Sequence, residues 1–327
     1  MWRISLLTMM LVCFVLAPLL DSVRAQPSAA KPKPQRVVAI TIDDLPVASS
    51  RRDLKTWNGI TDKLLRHIRA DRVPAIGFVN ENKLLDDNRR NEARVAVLRK
   101  WVEAGLELGN HTYSHPSLNR TPLAEFQETV MRGEEVTKAL LATKGKSLHY
   151  FRHPFLHTGR ELAIKHQFEA FLKGRGYTIA PVTIDNSDWI FARAYDKAIV
   201  SNDQAMLKQI GAAYVPYMEA VTEYYEKQSV ALFGYEMKQI LLIHANSINA
   251  DYLDDLFRMY KKRGYQFITL EEALTDKAHQ SPDTFTGAAG ISWLHRWAIT
   301  RGVERSFFNG EPVVPEMVMK YSGETSQ

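Results

Sequence analysis

The feature that most restricts the fold of this chain is a series of apolar, largely β-branched runs that alternate with helical stretches. Five such runs are evident, at residues 37–42, 74–79, 177–184, 240–243 and 265–270. Short β-branched runs without polar alternation indicate strands that are buried on both faces, as in parallel sheets. Strands that alternate with helices of about a dozen residues are typical of parallel βαβ units. The sequence therefore predicts an α/β fold.

The stretches between these runs have the apolar spacing of helices. We predict helices at residues 57–70, 91–104, 122–141, 161–173 and 250–262, and one or two long helices within 202–238. Further short strands are expected before His111 and at residues 149–151. The alternation stops after Leu274, and we expect residues 275–327 to form a C-terminal extension that folds on the α/β domain of residues 37–274.

The first 25 residues have the pattern of a secretory signal peptide. Arg3 precedes a nearly unbroken apolar run, and Ala25 ends a site that a signal peptidase could cleave. The alternative is a transmembrane anchor, for which this run is short. We expect cleavage, a flexible lead-in at residues 26–36, and a secreted or periplasmic protein without a stable membrane anchor. The only cysteine, Cys13, would be removed, so the mature chain would hold no disulfide.

The composition is that of an ordinary globular protein, with 45% hydrophobic residues among 327. The formal net charge is +5, but lysine and arginine are spread along the chain. Without a long basic run with interleaved aromatic residues, we expect no nucleic-acid partner. The sequence leaves the oligomeric state open.

Polar residues stand where five of the predicted strands end. They are Asp43 and Asp44, His111 and His115, Arg152, Asp185 and Asp188, and His244. Parallel strands of one sheet or barrel end on the same face, so these side chains are expected to converge. Two histidines and one carboxylate are the protein ligands of many catalytic zinc sites, which leave one position open. A second carboxylate and a further histidine can supply a general base and a general acid.

These segments also occur in the order of five family motifs. They are Thr-Ile-Asp-Asp-Leu at 41–45, His-Thr-Tyr-Ser-His at 111–115, Arg-His-Pro-Phe at 152–155, Asp-Asn-Ser-Asp-Trp at 185–189, and Leu-Ile-His at 242–244. In these motifs the chain resembles the polysaccharide deacetylase family, carbohydrate esterase family four. The resemblance implies a distorted (β/α) barrel of about seven parallel strands. It also implies a metal-dependent deacetylase that acts on an acetylated glycan, such as peptidoglycan or chitin.

The resemblance assigns the metal ligands and the two groups that move protons. Asp44, His111 and His115 would bind a divalent metal, most simply zinc, although cobalt suits the same ligands. Asp43 would be the base that takes a proton from the attacking water. His244 would be the acid that protonates the departing amine.

The resemblance also assigns supporting and substrate-binding residues. Arg152 would hold Asp43 ionised and oriented, and Asp188 would orient His244 and favour its imidazolium form. The backbone N–H of Phe155 would bind the oxyanion. Trp189 and Leu242 would line the pocket for the acetyl methyl group.

Two departures from the family pattern leave the substrate open. Ile42 replaces a phenylalanine, and Leu45 followed by Pro46 replaces a glycine that permits a positive φ. Besides N-deacetylation of a glycan, we consider an O-acetyl xylan esterase, a small-molecule amidohydrolase and an inactive glycan-binding barrel. His153 and His157 flank the third motif and could touch a substrate, but a packing role is the simpler expectation.

Overall fold

The run that begins near Val37 forms the central strand of the protein. The computed structural model describes Trp2 and residues 36–326. The predicted signal peptide lies outside the described residues apart from Trp2, as does the predicted lead-in apart from Arg36. Within residues 36–326, nine strands form: β1 (Arg36–Leu45), β2 (Ile76–Val79), β3 (Leu85–Asp86), β4 (Arg89–Arg90), β5 (Glu107–Asn110), β6 (Tyr150–Phe151), β7 (Thr178–Ile179), β8 (Gln239–His244) and β9 (Tyr265–Ile268).

The helices of the same part of the chain surround these strands. They are α1 (Leu54–Ala70), α2 (Glu92–Glu103), α3 (Leu123–Arg132), α4 (Glu135–Ala142), α5 (Leu162–Gly174), α6 (Asp188–Val200), α7 (Gln204–Phe233), α8 (Ser247–Lys262), α9 (Leu270–Leu274), α10 (Trp293–Thr300) and α11 (Glu316–Ser322). None of these helices is both long and apolar enough to cross a membrane.

Seven of the strands form one parallel sheet, and β3 pairs with β4 in a separate hairpin. The order in the sheet is β7-β6-β5-β2-β1-β8, and β9 pairs with the first half of β1. A parallel bridge between Ile184 and Leu241 joins the segment after β7 to β8, which closes the sheet on itself. The structure therefore confirms the predicted α/β fold, a distorted barrel of seven parallel strands.

The alternation of side chains along β1 directs its polar residues into the barrel. Val38, Ile40 and Ile42 are buried in the hydrophobic cluster that includes the surrounding helices. Ala39 belongs to a separate cluster with residues of β2, β6 and β8. Successive side chains of a strand point to opposite faces, so Thr41 and Asp43 share the face of Ala39. One strand thus supplies both a core face and the beginning of a polar site.

Two predicted elements were wrong in their extent. Residues 122–141 do not form one helix, because α3 ends at Arg132 and α4 begins at Glu135. Gly133 lies between them against the backbone of Thr112, where a Cβ atom would be 2.8 Å from the Thr112 carbonyl carbon. The predicted strand at 177–184 is regular only at β7, because the chain then leaves β6 to reach β8. Arg36, predicted to end the lead-in, is the first residue of β1.

The other predicted helices and strands are present, with ends that differ by up to about five residues. The residues beyond α9 pack on the helices of the barrel: α10 contacts α7, and α11 contacts α6. The long region predicted as one or two helices forms the single helix α7, which starts with its N-cap Asp203 accepting a hydrogen bond from Met206 N–H.

Candidate metal and catalytic site

The carboxyl end of β1 carries two adjacent aspartates whose side chains contact different neighbours. Asp43 is buried and directed into the barrel, whereas Asp44 has a φ of 69°. This left-handed conformation is uncommon for a residue other than glycine, and such strain is concentrated at functional sites. The peptide bond that follows, between Leu45 and Pro46, is cis. The positive φ therefore falls on Asp44 rather than on the position that glycine occupies in the family motif.

The loop after β5 carries the two histidines. Thr112 and His115 have φ angles of 67° and 57°, which turn the loop sharply enough for both rings to meet Asp44. Asn110 holds this loop, because its side-chain oxygen accepts a 2.7 Å hydrogen bond from Thr112 N–H. Its amide group donates to the Val130 carbonyl at 2.9 Å, which ties the loop to α3.

Asp44, His111 and His115 form a group that could hold a metal ion. One ligand atom from each residue lies within 4.8 Å of the others. The Nε2 atoms of His111 and His115 are 3.8 Å and 3.6 Å from Asp44 Oδ1. This donor set, with two imidazoles and one carboxylate, suits zinc and leaves a coordination position open.

Three local features fit such an ion. Asp44 Oδ1 is buried and has no hydrogen-bond partner within residues 36–326. His111 Nδ1 lies 2.8 Å from the Arg152 carbonyl oxygen, so it donates there and leaves Nε2 to bind a metal. Burial lowers the pKa of His111 well below its usual value and lowers that of His115. Both rings are therefore neutral at neutral pH, which is the form that binds metals.

Lys83 is a charged neighbour of this group that the sequence reasoning missed. Its ammonium donates a 2.8 Å hydrogen bond to the Asp44 carbonyl oxygen and lies 3.6 Å from Asp44 Oδ1. Burial raises the pKa of Asp44, but Lys83 and the nearby histidines outweigh burial and hold this pKa well below its usual range. Asp44 is therefore a carboxylate at any pH at which the protein would work.

Asp43 is paired with a buried arginine. Arg152 Nη1 lies 3.4 Å from Asp43 Oδ2, and Nη2 donates a 2.8 Å hydrogen bond to Thr41 Oγ1. The guanidinium packs over the ring of Phe78 at 4.7 Å. Burial raises the pKa of Asp43 to about 6 despite the opposing charge of Arg152. Asp43 is thus mostly ionised at neutral pH, but its pKa is close enough to that pH for the carboxylate to accept a proton.

His244, at the end of β8, is paired with a buried aspartate. Its Nδ1 lies 2.7 Å from Asp188 Oδ1, and its backbone N–H donates to Asp188 Oδ2 at 2.8 Å. The side-chain amides of Asn246 and Asn249 also donate to Asp188 Oδ2, at 3.0 Å and 2.7 Å. Burial lowers the pKa of His244, but the charge of Asp188 outweighs burial and raises it to about 9. His244 is therefore an imidazolium at neutral pH.

One cavity of about 1050 Å³ brings most of the predicted site residues together. Its lining includes Asp43, Asp44, His111, His115, Phe155, Asp185, Trp189, Leu242 and His244. Phe155 and Trp189 stand at its rim with 54% and 41% of their surface exposed, whereas Leu242 is buried. Arg152 and Asp188 do not line the cavity; they lie behind Asp43 and His244, the residues that they contact.

A second group of residues in the cavity wall comes from α7 and from the C-terminal extension, and no sequence pattern predicts it. The group consists of Tyr217, Val221, Tyr225, Ala289, Gly290, Ile291, Ser292, His295, Glu311 and Pro312. Their aromatic and small residues resemble those of an ordinary core, so only the tertiary arrangement reveals them. The same holds for Lys83, which lies in a short 3-10 helix (Glu81–Leu84) that sequence spacing does not distinguish.

Comparison with known proteins finds similarity to deacetylases. Residues 30–170 match the family model described as polysaccharide deacetylase. The peptidoglycan-N-acetylglucosamine deacetylase PgdA of Listeria monocytogenes is 22% identical over 252 residues, which are 77% of this chain and 41% of the relative. The chain therefore spans about two fifths of the length of that curated relative.

Solved structures of similar proteins were also found. The chitin deacetylase of the fungal pathogen Colletotrichum lindemuthianum has a TM-score of 0.49 and 22% identity, with 74% of this chain and 88% of that chain covered. A CE4 family pseudoenzyme from Bacillus anthracis has a TM-score of 0.47 and 18% identity, with 74% of this chain and 66% of that chain covered.

Together, a parallel α/β barrel and a cluster of two histidines and an aspartate at the ends of its strands define a barrel protein with a candidate hydrolase site. Over residues 30–170 the chain matches the polysaccharide deacetylase family. Members of this family are hydrolases that remove acetyl groups, and pseudoenzymes also occur among them.

Proposed function

We propose that this protein is a secreted or periplasmic, metal-dependent deacetylase that hydrolyses N-acetyl groups of a glycan. The observation that carries the proposal is the meeting, in one cavity, of a candidate metal group with a buried aspartate and a cationic histidine. These are the parts that hydrolysis of an amide requires. Secretion rests on the N-terminal sequence pattern alone.

In this proposal Asp44, His111 and His115 hold a divalent ion, most simply zinc, although cobalt suits the same donors. When bound, the ion supplies a Lewis acid that acidifies water and polarises an acetyl carbonyl. The neutral state of both imidazoles and the ionised state of Asp44 support this assignment.

Asp43 is the proposed general base. Its pKa of about 6 lets it stay ionised at neutral pH and yet accept a proton from an attacking water. Arg152, hydrogen-bonded to Thr41, fixes the position of the carboxylate. Arg152 therefore acts as a positioning residue.

His244 is the proposed general acid, and Asp188 fixes the orientation of its ring. An imidazolium with a pKa of about 9 carries the proton that a departing amine must receive. The backbone N–H of Phe155 is the proposed donor to the carbonyl oxygen as negative charge builds up on it. Trp189 and Leu242 would enclose the acetyl methyl group.

The substrate class is the least determined part of the proposal. The names of the relatives, a peptidoglycan deacetylase and a chitin deacetylase, favour an N-acetylated glycan. An O-acetyl xylan esterase or a small-molecule amidohydrolase would need the same residues. An inactive glycan-binding barrel is the less favoured alternative, because a protein that only binds has no need of the Asp43–Arg152 and Asp188–His244 pairs.

Release of acetate tests the proposal directly. The purified protein, loaded with zinc, would be incubated with N-acetylated chito-oligosaccharides, peptidoglycan fragments, O-acetylated xylan and acetanilide. We expect acetate from at least one N-acetylated glycan, and none in the presence of a chelator. Acetate from xylan alone or acetanilide alone would replace the proposed substrate with that one, and acetate from none would favour the inactive barrel.

We expect Asp188→Asn to move the alkaline limit of activity. Without the carboxylate, burial lowers the pKa of His244. The imidazolium, which persists up to about pH 9 in the native protein, would then already lose its proton at a pH below neutrality. The alkaline limb of kcat/KM should fall by about two pH units or more. The control is Asp276→Asn, which removes a hydrogen-bonded carboxylate outside the cavity. An unshifted alkaline limb would rule out His244 as the acid.

A further inference from the structure

The cavity is larger than an acetyl group requires. Its volume of about 1050 Å³ is at the upper end of the range for small-ligand pockets, about 300–1,000 Å³. The residues with proposed catalytic roles line only part of it. Much of the remaining wall comes from α7 and from two segments of the C-terminal extension, at 289–295 and 311–312.

This part of the extension is held firmly against the barrel. Gly290 touches the third motif, because a Cβ atom there would lie 1.7 Å from the Phe155 carbonyl oxygen. Trp293 N–H donates a 2.7 Å hydrogen bond to the Val182 carbonyl. The fully buried Arg296 donates to Asp283 at 2.8 Å and to the Leu156 carbonyl at 3.2 Å. The extension is therefore a fixed wall of the cavity.

His153 is a buried polar residue of the cavity wall whose ring nitrogens are available to a ligand. Its side chain is 1% exposed, lines the cavity, and packs against Phe151, Phe168 and Trp293. Neither ring nitrogen makes a hydrogen bond of normal geometry with a residue between 36 and 326, although the backbone carbonyl of His157 lies near the ring. A buried polar group without such a partner is costly, unless a ligand or water satisfies it.

Two carboxyl groups line the same cavity. Glu311 Oε1 accepts a 3.0 Å hydrogen bond from the hydroxyl of the buried Tyr225. Asp185 accepts one from Asn186 N–H at 2.9 Å and is close enough to Glu311 for their charges to interact.

The chemistry of these groups selects a neutral ligand that bears hydroxyl groups. A neutral imidazole has one donor and one acceptor, and burial keeps His153 neutral by lowering its pKa. Burial raises the pKa of Asp185 to about 7 and also raises that of Glu311. A carboxyl group binds hydroxyls in either protonation state, and in neither state does it carry a positive charge that would attract an anion. Ile291 and the exposed face of Trp189 add the apolar surface against which a sugar ring can pack.

We propose that His153, Asp185 and Glu311 form a subsite that binds the hydroxyl groups of a sugar residue adjoining the acetyl group to be removed. This inference rests on the proposed function and deepens it: the substrate is a neutral oligosaccharide. The C-terminal extension is then part of the substrate-binding site, with Glu311 as its contribution.

Binding to a non-hydrolysing protein tests the subsite. In the zinc-loaded Asp43→Asn variant, calorimetry would give the Kd of tri-N-acetylchitotriose and that of acetate, which has no hydroxyl groups. Adding His153→Leu or Glu311→Gln should weaken sugar binding about tenfold, the value of one lost hydrogen bond, and leave acetate binding within about twofold. His153→Asn should restore part of the affinity. Matched controls are His279→Leu and Glu316→Gln, whose side chains do not line the cavity.

Each other result has a defined meaning. Equal weakening of sugar and acetate, or no weakening in either variant, would overturn the subsite, as would a parent protein that binds no sugar. Because Glu311 is exposed, Glu311→Gln keeps the test valid if His153→Leu fails to fold. Sugar binding that depends on His153 and Glu311, in a wild-type protein that releases no acetate, would contradict the proposed function and leave the subsite standing.

Discussion

Replacement of Asp43 by asparagine is expected to reduce kcat on the best acetylated substrate about 10³-fold, with little change in KM. The amide keeps the volume and the hydrogen-bonding reach of the side chain but cannot accept a proton from water. Because Asp43 is not among the proposed metal ligands, zinc content should stay at one per chain. The measurements are initial rates of acetate release and zinc content by mass spectrometry.

The control for this variant is Asp62→Asn, which changes an exposed aspartate on α1 that pairs with Lys100. Circular dichroism would verify that both proteins fold. If Asp43→Asn lost its zinc together with its activity, Asp43 would be a ligand instead of the base. If the variant kept more than about a tenth of the wild-type kcat, another group would have to be the base.

Replacement of His111 by alanine is expected to abolish both tight zinc binding and activity. Loss of outer contacts to a metal ligand already weakens binding about 10–100-fold, so loss of a ligand should exceed 100-fold. Chelation of the wild-type protein should have the same effect on activity, and added zinc should reverse it. Competition with a chromogenic chelator would measure the zinc affinity.

His166→Ala is the matched control, because His166 is an exposed histidine on α5 that does not line the cavity. It should keep the zinc affinity and the rate of the wild type. A His111→Ala protein with unchanged zinc affinity would mean that the ion binds elsewhere. Activity that survived complete removal of metal would exclude the proposed chemistry altogether.

The sequence was most informative where local pattern and tertiary position coincide. Residues 37–42 are β-branched because β1 is covered on both faces, and the polar residues after each run mark the carboxyl ends of parallel strands. That rule alone predicted that Asp43, His111, Arg152 and His244 would come together. The fold class followed from the same alternation.

What could not be predicted depends on contacts between distant segments. The break between α3 and α4 occurs where Gly133 meets the backbone of Thr112. The spacing of apolar residues in the sequence does not reveal that contact. The pKa of Asp43 is another example: Arg152 was expected to hold Asp43 ionised, but no local pattern indicated that burial would raise its pKa to about 6. Lys83, Glu311 and the cavity wall of the extension likewise have no local signature.

The closure of the barrel between Ile184 and Leu241 has a consequence for how the parts of the site depend on one another. The ligands of the candidate metal group follow β1 and β5, which lie on either side of β2 in the sheet and come from about the first third of the chain. The Asp188–His244 pair lies next to this closure, and it forms only when β8 has met the segment that follows β7. Zinc uptake therefore reports the assembly of one side of the protein, whereas turnover reports the assembly of the whole ring.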